Sequence, residues 1–209
     1  MSTILVVCTG NVCRSPLAEA ILRGHPGLDG LIVQSAGTGA IPDHSMCEHA
    51  SAMTGRGGAP GAHRAQVLTA ELVDDSDLIL VAAYGHRAAV AQLRPMARQK
   101  TFTLKEASAF IRSVVAAGVP SPQGGPGAVE KAVGSIVRQM NDMRGAGKLV
   151  APKPSFAIFP RRHSDFTAHA EIADGHWGNE RAHRKTLEEV ALASQAIGSS
   201  LAGLLGVPH

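Results

Sequence analysis

The 209 residues suffice for one domain, or one domain carrying a large insertion, and the formal net charge of +3 is only mildly basic. With 44% of residues hydrophobic but only 3% aromatic, a core is expected that is built from Ala, Val, Leu and Ile. The longest basic group, Arg161-Arg162-His163, falls short of a nucleic-acid binder's Lys/Arg stripe, and no stretch reaches the roughly 18 apolar residues of a membrane span.

Thr3-Ile4-Leu5-Val6-Val7 opens the chain as a short β-branched run, apolar on both faces, the pattern of a parallel strand covered on two sides. No basic region precedes it and no small-residue cleavage site follows, so it reads as a buried strand and not as a signal peptide. An odd set of cysteines, Cys8, Cys13 and Cys47, argues against a secreted disulfide framework and for a reducing cytoplasm. The loop Cys8 to Pro16 follows, with Ser15 expected to cap a helix whose first residue is Pro16 and whose stripe is Leu17, Ala20 and Ile21 before Gly24. A second strand, Leu31-Ile32-Val33, is closed by Ser35-Ala36-Gly37.

Residues 43–53 read as helical, Gly55–Gly61 as a glycine-rich connection and 65–73 as a helix. Asp77–Val81 is a third strand, Gly85–Leu93 a helix ended near Pro95, and Lys100–Leu104 a fourth strand. The Pro/Gly-rich run from Val119 to Gly127 cannot be regular structure; a helix over Ala128–Met143 and a polar stretch up to about Asp174 come after it. The expected organisation is a single domain over 1–209 with an insertion at approximately 121–166. Leu187, Val190, Ser194, Ile197, Leu201 and Leu204 then recur at spacings of three and four, one face of a final helix. Strands alternating with helices predict an α/β fold: a parallel four-stranded sheet, helices on both faces, a phosphate loop at the end of the first strand, and the insertion before the last helix.

The chemistry concentrates in Cys8-Thr9-Gly10-Asn11-Val12-Cys13-Arg14-Ser15, between a buried strand and a helix start. The backbone N–H groups of such a tight loop can converge on an oxyanion, and the helix adds its positive end. Arg14 supplies a planar fork for two phosphate oxygens. A thiol in that field is expected to ionise readily, and a thiolate beneath a bound phosphate points to phosphoryl transfer through a cysteinyl-phosphate. Ser15 is placed to hydrogen-bond the sulfur as it leaves.

The run Val7-Cys8-Thr9-Gly10-Asn11-Val12-Cys13-Arg14-Ser15-Pro16-Leu17-Ala18-Glu19-Ala20 resembles the phosphate-binding loop of low-molecular-weight protein tyrosine phosphatases. Ser35-Ala36-Gly37-Thr38 and His63-Arg64-Ala65 resemble that family's later loop segments, and the likeness covers Thr3 to about Glu106, resuming near Ile172. The resemblance implies a phosphatase acting on phosphotyrosine-containing proteins or small aryl phosphates. Cys8, Arg14, Ser15 and an acid, Asp174, would be catalytic, and Thr9 to Ser15 would bind phosphate. Asn11, Ser15, Ser35 and His63 would form the supporting network.

Three departures from that family's pattern stand out. Gly39-Ala40-Ile41-Pro42 lacks the aromatic wall residue, Ala82-Ala83 replaces a Met-Asp pair, and Asp174-Gly175-His176-Trp177 replaces Asp-Pro-aromatic. Trp177 could supply the missing wall, and Asp165-Phe166 imitates part of the acid motif, so Asp165 is the alternative acid. On the same scaffold, an arsenate reductase would need relay cysteines beyond Cys47, and a protein-arginine phosphatase would be expected to carry Thr in place of Val12. A catalytically weak phosphate-binding module is the reading from another class. Cys13, five residues beyond Cys8, is expected to approach it closely enough for a regulatory disulfide.

His44, Cys47, Glu48 and His49 match no standard ligand spacing, so no metal is expected, and Gly55–Gly61 lacks the Lys-Ser/Thr of a nucleotide loop, so no cofactor is expected either. His86 and His183 have no visible partner in the sequence.

Overall fold

The computed structural model describes residues 1–55, 63–118, 127–145, 170–176 and 178–206. The Pro/Gly-rich run, most of the Gly55–Gly61 connection, Asp165 and Trp177 lie outside them.

Four parallel strands, β1 (Thr3–Cys8), β2 (Ile32–Gly37), β3 (Leu78–Val81) and β4 (Thr101–Thr103), stand in the order β2-β1-β3-β4. Their register aligns Cys8 with Gly37 and Val7 with Val81, so the C-terminal ends of three strands form one edge. In a parallel sheet that edge is where loops meet a ligand.

Side-chain alternation along β1 divides the core. Ile4 and Val6 join Leu78, Leu80 and Phe102 on the face covered by α1 (Arg14–Arg23), α5 (Leu104–Ala116), α6 (Ala128–Gly145) and α7 (Glu180–Leu204). Leu5 and Val7 join Ile79 and Val81 on the opposite face, beneath α3 (Ala70–Asp74), α4 (Tyr84–Leu93) and a 3-10 turn at Pro95–Lys100. All six apolar-stripe positions expected of the last helix, Leu187 to Leu204, are buried.

Three local expectations are corrected, and one helix is new. Ser15 does not cap α1: the helix begins at Arg14, Cys13 sits at the cap position, and the Ser15 hydroxyl turns inward instead. Only α2 (Glu48–Ser51) is helical in the 43–53 stretch, because Asp43 takes a left-handed φ of 65°. The 65–73 stretch becomes helical only at Ala70, since Val67 bridges to Gly37 at the sheet edge. α5 was not anticipated at all, although Thr103 and Glu106 form a reciprocal capping box at its start.

Candidate active site

β1 delivers Cys8 to the strand edge, where it is buried. The loop after it curls because Asn11 adopts φ 53°, a left-handed conformation that Asn tolerates. Gly37, on the neighbouring strand, lies directly beneath: a Cβ there would sit 2.5 Å from the Thr9 carbonyl oxygen and 2.9 Å from the Asn11 nitrogen. Only glycine admits that approach, which gives the Ser-Ala-Gly segment its physical meaning.

The loop carbonyls of Cys8, Thr9, Asn11, Val12 and Cys13 are hydrogen-bonded. Cys8 O accepts from Thr38 N, Thr9 O from Gly39 N, Val12 O from Cys47 N and Cys13 O from Leu17 N. Asn11 O accepts from the His63 ring at 2.7 Å. A trans peptide points each N–H opposite to the preceding carbonyl. The N–H groups of Thr9, Gly10, Val12, Cys13 and Arg14 therefore turn toward the hollow of the loop, an anion-binding nest at the start of α1.

Inside it a polar network fixes the sulfur's surroundings. The Asn11 amide donates to Ser15 Oγ at 2.9 Å and to Ser35 Oγ at 2.8 Å. The Ser35 hydroxyl in turn donates to Glu19 Oε2 at 2.6 Å. Asn11 Oδ1 accepts from Gln66 N at 2.9 Å. Ser15 Oγ, which accepts from Asn11, lies 3.0 Å from Cys8 Sγ and 3.4 Å from Ala36 O, so Cys8 Sγ is the nearer of two acceptors for its hydrogen. These hydrogen bonds bring Asn11, Ser15, Ser35 and His63 together. Glu19 and Gln66 complete the network without having been singled out.

Arg14 is 4% exposed, yet its fork reaches the pocket. It donates to Ile172 O at 3.2 Å and to Thr9 Oγ1 at 3.3 Å, and pairs with Asp174 Oδ2 at 2.5 Å. Asp174 therefore stands beside the phosphate loop, although most of the chain separates the two in sequence. Gly175 explains how: it packs on α7 so closely that a Cβ would lie 2.5 Å from Thr186 Oγ1 and 2.6 Å from Ala182 O. A proline would not fit there.

His86, in the first turn of α4 just after β3, was missed. Its Nδ1 accepts from Ala83 N at 3.1 Å, so a neutral ring carries its proton on Nε2, 3.0 Å from Thr9 Oγ1. Burial, reinforced by the Arg14 charge and partly offset by Asp174, lowers its pKa to about 4, which keeps it neutral near pH 7. The strand-edge rule was the available signal, because the loop after β3 must meet the loop after β1.

Together Cys8, Thr9, Val12, Arg14, Ile41 and Asp174 contribute to a cleft of about 360 Å³. Ile41, 61% exposed, lines it at the segment where an aromatic wall was expected. The Cys13 sulfur lies 3.1 Å from His176 Nδ1, and Cys13 and His176 line the same cleft as Cys8. The neighbouring Cys13 thiol pulls the Cys47 thiol down to about 7, while Cys47 and burial push the Cys13 thiol far up.

Known proteins resemble this chain in sequence and in fold. A protein-arginine-phosphatase of Geobacillus stearothermophilus is 38% identical over 123 residues, 59% of this chain and 80% of its own length. A probable low molecular weight protein-tyrosine-phosphatase of Ralstonia solanacearum is 40% identical over 111 residues, 53% of this chain and 75% of its own. Among solved structures, an arginine phosphatase from Geobacillus stearothermophilus superposes with a TM-score of 0.61 at 25% identity, covering 100% of this chain and 99% of that one. An Erwinia amylovora tyrosine phosphatase gives 0.58 at 25% identity, over 95% of this chain and 91% of that one. The family model described as low molecular weight phosphotyrosine protein phosphatase matches residues 3–141, from the first strand well into α6, and the chain belongs to that family.

Proposed function

We propose that the chain hydrolyses phosphotyrosine, in proteins or as small aryl phosphate monoesters, through a cysteinyl-phosphate. The observation that carries this is the Cys8 sulfur held 3.0 Å from the Ser15 hydroxyl at the floor of a nest of inward N–H groups. In this reading the phosphate dianion occupies the nest and takes the Arg14 fork, displacing Asp174 from it. Cys8 attacks phosphorus opposite the ester oxygen, and Asp174 gives its proton to the departing phenolate. The carboxylate so formed then accepts a proton from the water that attacks the cysteinyl-phosphate. Ser15 stabilises the sulfur as it leaves, and neutral His86 holds Thr9 beside Arg14 as a positioning residue.

The apolar wall of Val12 and Ile41 favours an aryl ring, whose flat apolar face it can cover. The second reading, phosphoarginine, has the Geobacillus relative in its favour, since that protein is named for the activity. Matched peptides carrying phosphotyrosine or phosphoarginine decide between the two; a higher kcat/KM on phosphoarginine would transfer the assignment. No helix among the described residues is long and apolar enough to cross a membrane. All three cysteines are free thiols, which supports a reducing cytoplasm as the location. We further place the whole chain, 1–209, in one phosphatase domain, with the segment near 121–166 carried between α5 and α7.

A further inference from the structure

Four side chains that the phosphatase chemistry does not use converge beside the site. Cys13 comes from the end of the phosphate loop, Cys47 from the residue before α2, His176 from the loop of Asp174 and His183 from the first turn of α7. Their ligand atoms all lie within 4.8 Å of one another. Cys13 Sγ is 3.1 Å from His176 Nδ1, and Cys47 Sγ is 3.7 Å from His183 Nε2. The imidazoles of His176 and His183 meet edge to face with centroids 5.2 Å apart.

We propose that this cluster is a zinc site of the Cys2His2 type, with Cys13, Cys47, His176 and His183 as its four ligands. Zinc at about 2.3 Å from sulfur and about 2.0–2.1 Å from nitrogen places tetrahedral ligand atoms roughly 3.3–3.8 Å apart. The Cys13–His176 and Cys47–His183 pairs, at 3.1 Å and 3.7 Å, lie close to that range and no pair exceeds 4.8 Å, so closure requires only small side-chain movements. Two thiolates and two neutral imidazoles are the donor set that closed, structural zinc sites use. Binding releases the two thiol protons, and the two thiolates neutralise the ion. Two of the four ligands, Cys13 and His183, are buried, which shields the ion from water.

The position gives the ion a consequence. It would tie four separate segments together and anchor His176, two residues from Asp174, to the phosphate loop. The loop lacks a stiffening proline at Gly175, because α7 leaves no room for one. Coordination would supply that stiffness, and would also withdraw Cys13 from disulfide exchange with Cys8.

The test uses the full chain, reduced and stripped of metal with a chelator, then titrated with Co(II) as a spectroscopic stand-in for zinc. One equivalent is expected to bind, with the intense visible bands of tetrahedral cobalt and a thiolate charge-transfer band. Cys8→Ser should bind equally, because the nucleophile is not a ligand, and His49→Ala should as well. Cys47→Ala and His183→Ala should each lose more than the roughly 10–100-fold that removal of an outer-shell partner costs. Should those variants fail to fold, alkylation mapping of the wild-type chain decides: zinc should shield Cys13 and Cys47 and leave Cys8 reactive. Absence of tetrahedral cobalt in the wild type, or zinc that shields only Cys8, would overturn the proposal.

Discussion

At the scale of single residues, the nucleophile and its clamp carry the sharpest expectations. Cys8→Ser should lose essentially all turnover of an aryl phosphate while still binding phosphate, because the nest is made by backbone groups. Steady-state turnover and phosphate protection against thermal unfolding check the two halves. Asp174→Asn should lower turnover of phosphotyrosine roughly 10²–10⁴-fold, the worth of a positioned acid, and should matter little for a leaving group that needs no proton. An unchanged rate on phosphotyrosine would remove Asp174 from the mechanism. His86 adds a pH dependence. Its folded-state value, about 4, lies below the ordinary 6.5, so the unfolded chain takes up the proton first as pH falls. The stability that neutral His86 contributes is therefore complete above about pH 6.5 and is lost as pH drops towards 4, at most about 3 kcal/mol. Urea midpoints at pH 7.5 and 4.5 should differ less in His86→Gln than in wild type. Cys8, Arg14 and Ser15 were legible in the sequence because one short loop holds them all. His86 was not, since its partner Thr9 lies on another strand's loop.

Elements were legible where their signal was local, and hidden where tertiary contacts decided. β1 and α7 show unbroken apolar patterns and fold as read. The 43–53 and 65–73 stretches contain good helix formers. Yet Asp43 N is bound by Ala65 O, and Leu68 N by Gly37 O, so the backbone is committed to partners that no local window contains. α5 was overlooked although its capping box, Thr103 with Glu106, stands in the sequence. The Asp174 loop belongs to the same scale. Restoring the family's proline by Gly175→Pro should not rigidify the loop usefully, because the new Cβ would meet Thr186 Oγ1 and Ala182 O. The expected outcome is a lower Tm together with a lower kcat. A variant with raised Tm and intact kcat would show that the contact with α7 relaxes freely.

For the molecule as a whole, the central question is how much of the segment near 121–166 is appendage and how much is core. Pro/Gly-rich sequence on one side and polar sequence on the other marked the segment as an insertion within the domain. The structure gives α6 a different character: Val133, Ile136 and Met140 are each at most 2% exposed and join the cluster of Phe102, Phe110 and Ile197. Arg144, in the last turn, donates to Thr101 O at 2.6 Å and lies 4.1 Å over the Phe102 ring, which ties α6 to the edge strand β4. Burial pushes the Arg144 pKa down to about 10, a cost the fold accepts only where the side chain is held by packing. An appendage would tolerate truncation of its apolar face; a core helix would not. Met140→Ala, which empties a fully buried site, should therefore cost about 2–5 kcal/mol, within the range for large-to-small core substitutions. Denaturant unfolding should remain a single transition, followed alike by far-ultraviolet circular dichroism and by loss of phosphatase activity, because α6 shares its core with α5 and α7. A loss below about 0.5 kcal/mol, the range of ordinary surface changes, would make α6 an appendage and not a core helix. Two separated transitions would do the same, and would divide the chain into a catalytic body and an independently melting insertion.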